Sequence, residues 1–133
     1  SDGVCSTLTK NHDKKILYID DISTNHELIN QIVNYLAGVK LISTSDPFTG
    51  IELAQAEMPD LILMDIQMPG MNGLDAFNKL QALNETRNIP VIALTAYAMD
   101  EDIKKALDMG FIDYITKPID VPKFLKTIND ILV

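Results

Sequence analysis

The chain has 133 residues, 47% of them hydrophobic, and a formal net charge of −8. This length fits one domain with a sizeable core, and the apolar content excludes a chain that is mostly disordered. The negative charge and the lack of a Lys/Arg stripe argue against direct nucleic-acid binding, because the chain would repel phosphate backbones. The single cysteine, Cys5, excludes an internal disulfide.

The longest apolar runs are strand-sized and fall far short of the ~20 residues that a membrane helix needs. No signal-peptide pattern opens the sequence, so we expect a cytoplasmic setting and no membrane contact by this segment. Residues 1–13 are polar and lack a period, which predicts a flexible lead-in or linker. The predicted domain covers residues 14–133.

From Lys14 onward, short apolar runs alternate with amphipathic stretches, which is typical of a parallel sheet covered by helices. Three runs are apolar on both faces and are expected to be central strands, because interior parallel strands are buried on both sides. They are residues 16–19, 61–64 and 91–94. The runs 39–44 and 111–115 are interrupted by Lys40 and Asp113, which favours the two edges of the sheet.

The predicted helices begin and end at recognisable residues. Thr24 and Glu27 fit a capping box for the first helix, and Gly38 is expected to end it. The second helix is expected to start at Ser45-Asp46-Pro47, with Pro47 in its first turn. The remaining signals are Leu74, Phe77 and Leu80 on the third helix, Gly110 after the fourth and Asp120 before the fifth.

Polar residues stand at the ends of four predicted strands. In a right-handed alternation of strands and helices, all the carboxyl ends of the strands reach the same rim of the sheet. We therefore expect their side chains to be neighbours. These residues are Asp20 and Asp21 after the first strand, Asp65 after the third, Thr95 after the fourth and Lys117 after the fifth.

Three crowded carboxylates would raise one another's pKa values unless a cation joined them. Together with the Lys117 ammonium they leave two negative charges, which Mg²⁺ would neutralise while accepting their oxygen ligands. The central position of Asp65 predicts a nucleophile that attacks phosphorus and forms an acyl phosphate, with Lys117 and the metal offsetting charge. The Thr95 hydroxyl is expected to donate to a phosphoryl oxygen.

Each signal alone has an ordinary structural interpretation. An acidic pair after a strand is often a solvated helix start, and a Thr-Ala pair is often a helix cap. Their joint order at four strand ends favours the functional interpretation. His26 is interpreted as a surface helix residue. Tyr114 stands three residues before Lys117 and is open to two interpretations, packing on an edge strand or facing the rim.

These motifs resemble the receiver domains of two-component signalling. The similar segments are Asp20-Asp21, residues 63–73, residues 94–96 and residues 114–118, and the resemblance covers the chain from Lys15 to its end. It implies a flavodoxin-like, doubly wound (βα)5 fold. The five-stranded parallel sheet would have the order 2-1-3-4-5, with helices on both faces.

The resemblance also implies roles for the rim residues. Asp65 would accept a phosphoryl group from the phosphohistidine of a histidine kinase or a phosphotransfer domain. Mg²⁺ would be held by Asp21, Asp65 and the backbone carbonyl of Gln67, and through water by Asp20. Lys117 would hold phosphoryl oxygens.

A second set of implied features concerns switching. Thr95 and Tyr114 would form a switch pair that reshapes the surface of the fourth helix, fifth strand and fifth helix. A cis peptide would join Lys117 to Pro118. On this interpretation the chain catalyses its own phosphoryl transfer and slow dephosphorylation, and it is not a turnover enzyme by itself.

Other interpretations remain open. A phosphohydrolase with an aspartyl nucleophile also forms an aspartyl phosphate, but its second acid, two residues after the nucleophile, would be Gln67 here. A flavin carrier of the same fold needs a phosphate loop after the first strand, where Asp20-Asp21 would repel phosphate. The receiver itself is either a stand-alone regulator or part of a hybrid sensor kinase, which could place it on the cytoplasmic side of a membrane-anchored protein. The polar lead-in favours the hybrid kinase.

Overall fold

The computed structural model describes residues 14–66, 73–96 and 99–132. Over these ranges strands and helices alternate strictly, as predicted. The strands are β1 (Lys14–Ile19), β2 (Val39–Thr44), β3 (Leu61–Asp65), β4 (Val91–Thr95) and β5 (Asp113–Thr116). The helices are α1 (Ser23–Val33), α2 (Pro47–Glu57), α3 (Gly73–Ala82), α4 (Asp100–Met109) and α5 (Val121–Leu132). No described helix is long and apolar enough to cross a bilayer.

All neighbouring strands pair in parallel, in the order β2-β1-β3-β4-β5. Every residue of β3 and β4 is buried, whereas β2 and β5 have partly exposed residues, which confirms the predicted central and edge strands. The strand order reverses between β1 and β3. In open sheets of this type a crevice forms at that point, outside the carboxyl ends of the strands.

The core consists of two apolar layers, one on each face of the sheet. Alternate residues of a strand point to opposite faces, so each central strand supplies both layers. The layer under α1 and α5 contains Ile16, Tyr18, Ile29, Ile32, Leu61, Leu63, Ile92, Leu94, Phe124 and Ile128. The layer under α2, α3 and α4 contains Leu17, Ile19, Ala54, Ile62, Met64, Phe77, Leu80, Val91, Ala93 and Ala106. Helices therefore cover both faces, as predicted.

Three predicted helix boundaries are confirmed. Asp46 caps α2, and its Oδ2 accepts a hydrogen bond from the Thr49 N–H at 2.8 Å. Gly110 follows α4 with a φ of 122°, a left-handed conformation that favours glycine. The carboxylate of Asp120 accepts a hydrogen bond from the Lys123 N–H at the start of α5.

The predicted boundaries of the first helix were wrong. Helix α1 begins at Ser23 and ends at Val33, so Thr24 lies inside its first turn. Gly38 lies five residues beyond Val33, the last residue of the helix. Just before the helix, Oδ1 of Asp20 accepts the Ile22 N–H at 3.0 Å, and this short-range turn leads the chain into α1 at Ser23. At the other end the chain leaves the helix through a short turn.

The start of the fifth strand also differs from the prediction. Strand β5 begins at Asp113, two residues later than the apolar run suggested. Phe111 is buried, and its ring stacks on Phe77 of α3 with centroids 4.1 Å apart. This apolar residue serves the core between α3 and α4, so hydrophobicity alone placed the strand start too early.

Gly73, the first residue of α3, lies against the end of β3. A Cβ atom added there would stand 2.4 Å from the Asp65 carbonyl oxygen and 2.5 Å from the Ile66 Cα. Because these are backbone atoms, Gly73→Ala must push α3 away from β3. We expect a loss of about 1–3 kcal/mol in the free energy of unfolding, measured by urea denaturation.

Asn78→Ala, on the exposed side of the same helix, is the matched control. Alanine favours helix there, so this variant should be neutral or slightly stabilised. Unchanged or higher stability of Gly73→Ala would contradict the close approach of α3 to β3.

Candidate functional site

The ends of β1 and β3 bring three acids to the rim. Asp20 and Asp21 directly follow β1, and Asp65 is the last residue of β3. Asp20 and Asp65 are buried and Asp21 is exposed. One carboxylate oxygen from each lies within 4.8 Å of the others. The structure thus brings together the three acids that the sequence placed at this rim.

Lys117 joins two of these acids. Its Nζ donates to Oδ2 of Asp20 at 3.1 Å and to Oδ2 of Asp65 at 3.2 Å. The Lys117 N–H also donates to the Thr95 carbonyl at 2.8 Å, which extends the pairing of β4 and β5 to the rim. The peptide bond from Lys117 to Pro118 is cis, as the resemblance implied.

Asp20 accepts hydrogen bonds on both of its carboxylate oxygens. Its Oδ2 accepts from the Tyr18 hydroxyl, from Nδ2 of Asn25 at 3.1 Å and from Lys117, and its Oδ1 accepts from the Ile22 N–H. Burial acts to raise the pKa of Asp20. The hydrogen bonds from Tyr18, Ile22 and Lys117 outweigh it and lower the pKa, so the carboxylate stays ionised.

Sequence reasoning missed the residues around Asp20. Tyr18 is fully buried, and burial, followed by the nearby Asp20 carboxylate, raises the pKa of its phenol so that it remains a donor. His26 is half-buried, and its Nε2 is within hydrogen-bonding distance of the Asp20 carbonyl oxygen, so its interpretation as a surface residue was wrong. A strand carries residues i and i+2 on the same face, and this spacing could have linked Tyr18 to Asp20.

The other predicted site residues lie at different depths. Thr95 is buried at the end of β4, opposite Thr116 of β5. Tyr114 is half-buried and packs against the apolar layer under α2, α3 and α4. Ala96 is exposed at the rim. Gln67, the predicted source of a carbonyl ligand, lies outside the described residues.

The donor set suits a magnesium ion. Two ligands on opposite sides of Mg²⁺ stand about 4 Å apart, so acids within 4.8 Å of one another are near the spacing that one ion requires. The three carboxylates and the Lys117 ammonium leave two negative charges, which a divalent cation balances. All three acids offer oxygen, the ligand that magnesium prefers.

Comparison with known proteins decides the family. Residues 16–129 match the model of the response regulator receiver domain. The chain belongs to this family. It is therefore a receiver domain of two-component signalling, and the phosphohydrolase alternative is not favoured. The polar-differentiation response regulator DivK of Brucella anthropi is 39% identical to this receiver domain over 119 residues, covering 90% of this chain and 96% of its own length.

Solved structures give the same fold. The receiver domain of sensor histidine kinase PA1611 from Pseudomonas aeruginosa, solved with magnesium coordinated in its active-site cleft, is 28% identical with a TM-score of 0.80, covering 90% of this receiver domain and 97% of its own chain. A response regulator from Desulfuromonas acetoxidans is 29% identical with a TM-score of 0.81, covering 90% of this chain and 96% of its own. Receiver domains bind Mg²⁺ at an acidic pocket, and this chain has such a cluster of aspartates.

Asp21 offers a test of the charge balance. Asp21→Asn removes one of three repelling charges, so without metal the free energy of unfolding should rise by roughly 0.5 kcal/mol. It also removes a carboxylate that would face a bound cation, so the stabilisation gained on adding Mg²⁺ should shrink. Urea denaturation in EDTA and in excess Mg²⁺ measures both changes.

Asp130→Asn, on the exposed surface of α5, removes the same charge away from the rim. It should leave the gain from Mg²⁺ as it is in the wild type. An Asp21→Asn variant that is destabilised in EDTA, or that gains as much from Mg²⁺ as the wild type, would contradict this account of the acidic cluster.

Proposed function

We propose that this receiver domain accepts a phosphoryl group from a phosphohistidine onto the Asp65 carboxylate and thereby relays a signal. One observation carries the proposal: the buried Asp65 carboxylate lies 3.2 Å from the Lys117 ammonium inside a cluster of three acids. The donor would be a histidine kinase or a phosphotransfer protein, the class of partner that phosphorylates receiver domains.

The geometry distinguishes Asp65 from its two neighbours. The Asp20 carboxylate accepts hydrogen bonds from the side chains of Tyr18 and Asn25 and from the Ile22 N–H. These bonds engage both of its oxygens and fix the position of the side chain. Asp21 is exposed beyond the end of the sheet. Asp65 ends a central strand between β1 and β4, so donors can act on a phosphoryl group there from both sides.

In the proposed reaction, an Asp65 carboxylate oxygen attacks phosphorus and the bond from phosphorus to the donor's imidazole nitrogen breaks. The nitrogen keeps the bonding electron pair, and the product is an acyl phosphate on Asp65. Lys117 would shift from the carboxylates to the phosphoryl oxygens and offset their charge. The hydroxyl of Thr95 would donate to another phosphoryl oxygen.

The acids support a magnesium cofactor for this step. Asp21 and Asp65 would hold the ion directly and Asp20 through water, together with the Gln67 carbonyl that the resemblance implies. When bound, magnesium would offset the charge that the carboxylates and the phosphoryl group bring together.

The positions of Thr95 and Tyr114 support a conformational switch that responds to phosphorylation. Thr95 is buried at the rim, and Tyr114 is half-buried two residues along the neighbouring strand, beside Ala93. Movement of Thr95 toward a phosphoryl group would change the space available to the Tyr114 ring. The surface formed by α4, β5 and α5 would then take a second arrangement that a partner can distinguish.

Acetyl phosphate with Mg²⁺ should label the wild-type chain with one phosphoryl group, because the donor set at Asp65 is preformed. Asp65→Asn should remain unlabelled, since an amide is a poor nucleophile. Intact-mass spectrometry of both proteins, with and without EDTA, measures the outcome. EDTA should also suppress labelling of the wild type.

Asp130→Asn is the matched control and should be labelled like the wild type. Equal labelling of Asp65→Asn and wild type would refute Asp65 as the acceptor. Equal labelling of the wild type with and without EDTA would refute the role of the metal.

Thr95→Ala tests the switch. Without the hydroxyl, phosphorylation should no longer rearrange the surface formed by α4, β5 and α5. Hydrogen exchange in β5 and α5 should therefore change on labelling in the wild type and stay constant in the variant. The comparison is made on samples of equal labelled fraction, checked by mass spectrometry.

Thr49→Ala on the exposed start of α2 serves as the control and should respond like the wild type. A full hydrogen-exchange response in labelled Thr95→Ala would exclude Thr95 from the switch.

A further inference from the structure

Tyr18 places a buried hydroxyl directly under the acidic cluster. The residue lies on β1, two positions before Asp20 and on the same face of the strand, and its side chain is fully buried. Its hydroxyl donates to Oδ2 of Asp20. The Tyr18 side chain is part of the apolar layer under α1 and α5, so this phenol brings a polar atom into that layer.

Packing does not require the phenolic oxygen. A phenylalanine would fill nearly the same volume, and burying a hydroxyl in an apolar layer is unfavourable unless it is hydrogen-bonded. The favourable contact described for this hydroxyl is with Asp20. The oxygen of Tyr18 therefore acts on the acid and not on the core.

Two residues of α1 contact the same acid. Nδ2 of Asn25 donates to Oδ2 of Asp20 at 3.1 Å, and Nε2 of His26 lies within hydrogen-bonding distance of the Asp20 carbonyl oxygen. The His26 ring also packs on the Tyr18 ring, with centroids 4.8 Å apart. Asp20 is thus fixed through its main chain and its carboxylate by one connected group of side chains.

We propose that Tyr18 is a positioning residue for the magnesium site: its hydroxyl fixes the Asp20 carboxylate where, with Asp21 and Asp65, it can act on the ion or its bound water. This inference rests on the proposed function, which requires magnesium at these acids. Hydrogen bonds that orient the groups around a metal commonly change its affinity by about 10- to 100-fold. Tyr18 would act through Asp20 and would not touch the phosphoryl group.

Tyr18→Phe removes only the hydroxyl and tests this role. Titration of the intact chain with MgCl₂ in a calorimeter should show binding that is about tenfold weaker than in the wild type. Tyr35→Phe, whose side chain is 79% exposed, makes the same chemical change away from the site and should bind like the wild type.

A second readout separates positioning from a general role in the core. In the acetyl phosphate reaction, the Mg²⁺ concentration for half-maximal labelling should rise about tenfold in Tyr18→Phe, while saturating Mg²⁺ restores labelling. At one fixed sub-saturating concentration, Mg²⁺ should also raise the melting temperature of the variant less than that of the wild type.

The outcomes are distinguishable. If the wild type binds Mg²⁺ and Tyr18→Phe binds it equally or more tightly, the positioning role is refuted while the proposed function stands. If circular dichroism in EDTA shows Tyr18→Phe unfolded at the titration temperature, the hydroxyl serves the fold and the inference is also refuted. If the wild type itself does not bind Mg²⁺, the magnesium-dependent function is refuted, and the positioning role is refuted with it.

Discussion

The ammonium of Lys117 between the carboxylates of Asp20 and Asp65 is the interaction on which the site depends. Two buried acids at the ends of adjacent strands repel each other, and in a poorly solvated place this repulsion is strong. The Lys117 ammonium offsets part of this repulsion. The three acids and Lys117 together keep two net negative charges, the charge that a divalent cation would balance.

The parallel sheet makes this arrangement possible. Asp20 follows β1 and Asp65 ends the neighbouring strand β3, and continuous pairing sets the register of the two strands. Lys117 follows β5, the edge strand two positions from β3. Both faces of β3 are buried between helices, so the acid at its end stands on a rigid support. A site built on strand ends is held more firmly than one built on a long loop. Tyr18 extends this support from the core to the carboxylate of Asp20.

Much of the fold and of the site could be predicted from the sequence, because both depend on local patterns. Runs that are apolar on both faces identify buried parallel strands. All strands of such a sheet end at one rim, which makes Asp65 and Lys117 neighbours although 52 positions separate them in the sequence. What failed depended on tertiary contacts. Phe111 belongs to a ring stack with Phe77, which no local period shows.

The same limit explains the errors around α1. The side chain of Asp20 turns the chain by accepting the Ile22 N–H, and this contact displaced the predicted cap. His26 lies close to the same rim, with Nε2 within hydrogen-bonding distance of the Asp20 carbonyl oxygen, although its helical pattern predicted exposure to solvent. The hydrogen bond from Tyr18 to Asp20 was accessible in principle from the two-residue spacing, but a single Tyr in an apolar strand is more often core.

The absence of a side chain at Gly73 has a consequence for engineering. The first residue of α3 rests on the backbone of Asp65 and Ile66, so we expect that β3 and α3 have to be exchanged together. A chimera could take β3 from one signalling protein and keep α3 of the other. The strand and the helix would then not fit each other at this close contact. Exchange of the whole segment would preserve the fit and carry Asp65 with it.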